Sequence, residues 1–162
     1  MITPIEELKI RAKKLLKASP VPEGLQKLCQ GKHTSSQPLQ LKHCQRYIAR
    51  LYGFTDWEHA RQVLSCDTNL HPRGCGEFWY HPKCTMLLNH WCRDYQEAQQ
   101  VLTEQGGYLL PYKKQFVVVQ KAYIEALGLD ADDPLWAKLD NNWCQGDQEV
   151  RLQLALKRIQ AG

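Results

Sequence analysis

The densest run of chemistry-bearing side chains reads His71-x3-Cys75-x5-His81-x2-Cys84-x5-His90-x-Cys92. Imidazole and thiolate are zinc ligands, and closely spaced pairs on one loop are the simplest way to set four of them at tetrahedral positions. His81-x2-Cys84 has such a spacing. A zinc site built here uses Cys75, His81, Cys84 and one of His90 or Cys92. A CxxC knuckle is missing, so the competing reading is a loop of ordinary core and surface residues. A catalytic zinc needs an open coordination position and a base, for which Glu77 is placed. Cys84 alone invites a nucleophile reading. His81 lies three residues before it, and a cation or a helix N-terminus lowers a thiol pKa. The plainer reading is a small buried thiol.

Two other groups could bind without reacting. Tyr108, Tyr112, Lys113 and Lys114, followed by Gln115, put aromatic and cationic groups on an expected hairpin. Such a tip suits a phosphate, a carboxylate or a stacked base; a solvated turn is the alternative. Lys9, Lys13 and Lys17 recur every fourth residue, with Lys14 beside them, and so do Lys42, Arg46 and Arg50, with His43 adjacent. On helices these form rows that meet a polyanion, an acidic partner, or the chain's own acidic half. Asp130-x-Asp132-Asp133 lacks the rest of a calcium loop and reads as charge at a helix N-terminus. No GxSxG, P-loop, GxGxxG or HExxH string occurs, which removes motif support for the common hydrolase, nucleotide and metalloprotease readings.

The elements that must position these residues are signposted by caps. Thr3-Pro4-x-Glu6 starts a helix with a capping box, and Ile5, Leu8, Ala12, Leu15 and Leu16 form its apolar stripe, ending near Ser19-Pro20. A short helix follows over 23–30, then a polar loop at 31–36. The next helix is expected from Gln37-Pro38 to Tyr52, closed by Gly53 in a left-handed conformation. Phe54 and a second capping box, Thr55-Asp56-Trp57-Glu58 with Thr55 as its cap, open another helix, so 38–65 has the outline of a helix-turn-helix. Its second helix begins with Asp56 and Glu58, which suits phosphates poorly. Turn formers dominate 66–76. Glu77-Phe78-Trp79-Tyr80 is expected as a short strand and Met86–Trp91 as another. Asp94 caps a helix to Glu104, and Gly106-Gly107 ends it. Tyr108–Tyr112 and Gln115–Val119 form a hairpin whose Pro111 demands an edge or short strand. Helices end at Leu127, begin at Asp133-Pro134, and run from Gln148 to Gln160.

The expected fold is therefore α+β: an N-terminal helical module followed by a small, mainly antiparallel sheet with flanking helices. The expected division is 1–65, a basic helical module; 66–84, a linker or functional loop; and 85–162, a small α+β domain. Composition agrees with a packed protein. The chain has 162 residues, 43% hydrophobic and 23% charged, enough apolar content to exclude wholesale disorder. Up to Leu64 there are eleven Lys/Arg against five Asp/Glu, and from Ser65 ten against twelve. The basic character thus belongs to the helical module. No run of about 18 apolar residues suits a membrane span, and the start lacks the regions of a secretory signal. Seven cysteines then read as reduced thiols of a cytoplasmic protein.

Leu41-Lys42-His43-Cys44 with Ile48-Ala49-Arg50, Gly53-Phe54 and Trp57 resembles a short helical module of bacterial proteins, marked by a GFxxW turn after a basic helix. The strings around Asn89-x-Trp91, Asp94-Tyr95-x-Glu97-Ala98, Gly106–Phe116 and Gly128–Trp136 resemble a small family of bacterial proteins with a GGYLLPYKKQF-type C-terminal half. The resemblance spans most of the chain. It implies a bacterial, cytoplasmic protein and supplies no catalytic residues. The leading expectation is a binding or regulatory protein without its own chemistry, contacting a partner protein or nucleic acid through the basic rows. No membrane and no resident cofactor are expected. The alternative is a zinc- or thiol-dependent enzyme centred on Cys84.

Overall fold

A computed structural model describes residues 2–18, 22–30, 39–68 and 71–161, with backbone alone over 27–30. The expected polar loop at 31–36 and the helix start at Gln37-Pro38 lie outside the described residues. The fold is α+β, as expected.

Helix α1 spans Pro4–Leu16. The Thr3 hydroxyl accepts from Glu6 N at 3.2 Å, and the Glu6 carboxylate accepts from Thr3 N at 2.8 Å. This reciprocal pair satisfies two amides that the helix itself cannot. Helix α2 covers Glu23–Gln30 and α3 covers Leu41–Leu51. Gly53 follows at φ +88°. A Cβ there would sit 2.6 Å from the Glu77 carbonyl carbon, so conformation and space both demand glycine. Helix α4, Trp57–Leu64, is capped by Asp56 and not by Thr55: the Asp56 carboxylate accepts from His59 N at 2.7 Å. Thr55 instead bonds the His59 ring, which is buried and also holds the Gly74 carbonyl at 2.9 Å.

The expected strand at Glu77–Tyr80 is a turn, closed by Tyr80 N donating to the Glu77 carbonyl at 3.1 Å. A strand would point Phe78 and Trp79 to opposite faces; the turn buries both, each 1% exposed. Trp79 meets Phe78, Trp136 and Trp143 at ring-centroid distances of 5.1, 6.1 and 5.1 Å. At about 25 cal/mol per Å², burying roughly 200 Å² of indole contributes on the order of 5 kcal/mol. The stretch 66–84 thus carries the aromatic centre of the core, and a single set of touching buried side chains runs from Leu8 through Phe78 and Trp79 to Ile159.

A 3-10 turn at Pro82–Cys84 leads to strand β1, His90–Cys92, which starts later than expected and leaves Met86 and Leu88 exposed. Helix α5 is Tyr95–Gln105, capped by Asp94. Strands β2, Tyr108–Tyr112, and β3, Gln115–Val119, form the hairpin, and the antiparallel sheet has the order β1-β3-β2. Pro111 pairs Phe116 and has no N–H, so this is a non-hydrogen-bonded position. By alternation Leu109 points its amide and carbonyl outward, where they meet Asn141 O at 2.8 Å and Trp143 N at 3.1 Å.

The two sheet faces bury different sets. Leu110, Val117 and Val119 face the main core. Cys92, Leu109 and Val118 face Ala98 and Val101 of α5. Helices α6, Lys121–Ala126, α7, Pro134–Lys138, and α8, Gln148–Ala161, complete the chain. Tyr52 ties three helices together: its hydroxyl receives Arg11 Nη1 at 2.7 Å and donates to the Ile159 carbonyl at 3.4 Å. Arg151 of α8 is buried, donates Nε to the Trp143 carbonyl at 2.6 Å and lies 4.6 Å from that indole. Among the described residues no helix is long and apolar enough to cross a membrane.

Candidate functional site

The basic rows are where helical spacing places them. Leu8 and Ala12 of α1 and Cys44, Ile48 and Ala49 of α3 go into the core, and α1 packs directly against α3. Lys9, Lys13, Lys17, Lys42 and Arg50 are exposed and Arg46 is half-buried. Among the described residues none of the six has a carboxylate within ion-pair distance. Two other cations of the same module do, Arg11 meeting Glu7 at 3.0 Å and Arg61 meeting Glu58 at 2.6 Å, and Arg73 from the following segment meets Asp56 at 3.0 Å. The arrangement in which the rows are covered by the acidic second half is therefore not the one adopted.

The hairpin tip divides the four residues read from sequence. Tyr108 is buried and donates its hydroxyl to the Ala131 carbonyl at 2.7 Å, so it belongs to the core and not to a binding tip. Tyr112 donates to Glu77 Oε1 at 2.8 Å, and burial together with that carboxylate pushes its phenol up to about 12. Lys113 sits at φ +52°, 3.5 Å from Glu77 and 5.5 Å from the Tyr112 ring. Lys114 is exposed. Both lysines line a cleft of about 350 Å³ together with His71, Cys75, Arg93 and Phe116. His71 and Arg93 were not singled out as binding residues, because only the fold brings residues 71–75 to the hairpin. That approach is made by Cys75 N donating to the Lys113 carbonyl at 2.9 Å and Lys113 N donating to the Gly76 carbonyl at 2.8 Å. Burial holds the His71 imidazolium below the usual histidine range, with His59 and Arg73 adding like charge.

Cys84 is 1% exposed, and burial pushes its thiol up. A nucleophilic cysteine needs the opposite, a stabilised and reachable thiolate. His81 Nδ1 is engaged by Lys83 N at 3.0 Å. The expected zinc set is likewise redistributed. Burial pushes Cys75 up to about 11, with Arg151 opposing, and Cys75 lines the cleft beside the hairpin. Of Cys75, His81, Cys84 and His90, only His90 enters the one group of three His, Cys or carboxylate ligands gathered among the described residues. That group is His90, Cys92 and Glu97, whose ligand atoms lie within 4.8 Å of one another. Glu97 was missed because it stands five residues beyond Cys92, on α5. The legible signal was the period of two, which puts His90 and Cys92 on one face of β1. Comparison with protein families, curated proteins and solved structures finds no match to this chain.

Proposed function

We propose that this chain is a binding protein without chemistry of its own, contacting the phosphates of a nucleic acid through the rows Lys9, Lys13, Lys17 and Lys42, Arg46, Arg50. The observation that carries this reading is that, among the described residues, these cations have no carboxylate within ion-pair distance, while Arg11, Arg61 and Arg73 have one. A cation without an ion-pair partner engages a phosphate without breaking a pair first, and released counterions drive the association. The contacts would position the nucleic acid and not read its bases. Asp56 and Glu58, at the start of α4, are committed to Arg73 and Arg61, which argues against α4 as a reading helix. The free thiols among the described residues suit a reducing setting such as a cytoplasm. The alternative enzyme reading draws no support from the surroundings of Cys84. The test is a fluorescence-anisotropy titration of the full chain against labelled duplex and single-stranded probes at low salt. Saturable binding that weakens steeply with salt is expected. No binding at tens of micromolar protein rejects the nucleic-acid reading and leaves an acidic partner protein.

A further inference from the structure

We infer that His90, Cys92 and Glu97 bind one divalent cation of the zinc class, leaving one coordination position open. The inference is independent of the nucleic-acid reading, because it concerns the far edge of the sheet and not α1 or α3.

The argument begins with the strand. Residues two apart on β1 project to the same side, so His90 and Cys92 both face the side covered by α5. That helix starts three residues after β1, and Asp94 caps it by accepting from Glu97 N at 2.8 Å. The cap fixes the first turn, and the first turn presents Glu97 to the strand. Arg93 N then donates to Glu97 Oε2 at 3.2 Å, orienting the carboxylate and leaving Oε1 without a bond among the described residues. Such support of a ligand by an outer partner is usual at metal sites.

The donor set selects the cation. One imidazole nitrogen, one thiolate sulfur and one carboxylate oxygen suit zinc, whereas magnesium and calcium call for oxygen throughout. Bonds of about 2.0–2.3 Å at tetrahedral angles put ligand atoms about 3.3–3.7 Å apart. The present limit of 4.8 Å closes to that by a movement of about 1 Å. Cys92 is buried, while His90 and Glu97 are exposed side chains with room to make the adjustment. Three protein ligands leave a fourth position for water or an external group.

The test uses the full chain, reduced and stripped with chelator, and cobalt(II) as the probe. One equivalent is expected to give a thiolate-to-cobalt charge-transfer band with the visible absorption of tetrahedral cobalt, and zinc should bleach both. Cys92→Ser should abolish the charge-transfer band. Because Cys92 is buried and its variant could disturb the fold, His90→Ala and Glu97→Gln serve as the second arm. Both change exposed side chains, and Gln keeps an oxygen for Arg93 N. Each should weaken cobalt affinity tenfold or more with an unchanged unfolding midpoint in the apo state. Absence of the charge-transfer band at one equivalent overturns the inference. So does a band that keeps its full strength and affinity in both exposed-residue variants.

Discussion

Replacing Lys42, Arg46 and Arg50 together by Ala removes one of the two rows proposed to contact phosphates. The magnitude follows from the six cations assigned to the two rows. Each phosphate neutralised on duplex DNA contributes a slope of about −0.9 to log K against log salt. If all six cations engage, the slope is about −5.4; with three left it is about −2.7. Between 50 and 200 mM salt the parent chain should therefore lose roughly 2,000-fold in affinity and the variant roughly 40-fold. The assay is anisotropy at four or more salt concentrations, with unrelated probe sequences run in parallel, since phosphate contacts carry no sequence information. Arg46 is half-buried, so the triple change at Lys9, Lys13 and Lys17, all exposed, is the companion variant. Both should shift the slope by the same amount on every probe. An unchanged slope in both variants would refute the assignment of phosphate contacts to these rows, and a change confined to one probe sequence would refute the backbone-contact mechanism.

Other expectations concern the thiols, a turn and a histidine. In the folded protein Cys84 should label with iodoacetamide no faster than Cys44, Cys66, Cys75, Cys92 or Cys144, all buried; rapid, selective labelling of Cys84 would restore the thiol-enzyme reading. Gly74 lies at φ +76°, and a Cβ there would fall 2.3 Å from the Lys113 carbonyl oxygen. Gly74→Ala should cost more than about 2 kcal/mol in a denaturant titration, from left-handed strain and the clash together, and a loss under about 1 kcal/mol would mean that the 74–77 segment is not held as described. His71 titrates below its ordinary value of 6.5 in the folded state, from burial first and then from His59 and Arg73. The unfolded chain then binds the proton more readily, so this contribution to stability is complete above pH 6.5 and is lost as the pH falls through the folded value. His71→Gln should flatten the dependence of the unfolding midpoint over about pH 5–7, and an unaltered dependence would assign it to other groups. Asp56 and Asp133, held below 3.8, act only at lower pH.

Local chemistry was legible in the sequence where a few neighbouring residues settle it. Thr3 with Glu6, Asp94 with Glu97, Asp133 before Pro134 and Gly53 after α3 each satisfy or release backbone groups within one turn, and each stands as expected. Phe78 and Trp79 were misread because a run of four residues cannot say whether its partners lie across a sheet or all around it; theirs are Phe54, Trp136 and Trp143. Thr55 and Asp56 exchange roles because His59, whose own burial depends on Gly74, claims the threonine. Spacing along one loop favoured His81 and Cys84 as ligands, yet the turn at Pro82 buries the cysteine and commits the histidine to Lys83. The gathered group needs a strand and the helix after it, and Glu97 has no mark in the sequence beyond being a third residue after a cap.

The contact between α1 and α8 sets a schedule for synthesis. Tyr52 bridges Arg11 to the carbonyl of Ile159, and α8 packs along α1. At about 5–20 residues per second, the roughly 130 residues between those helices take a ribosome about 7–26 s. For that interval Leu8 and Ala12 can be covered by α3 and α4 but not by α8, so the apolar stripe of the nascent chain is only partly closed. Trp79 waits as well, since Trp136 and Trp143 emerge more than fifty residues after it. The helical module can form early, but its final shape is reached only when α8 arrives.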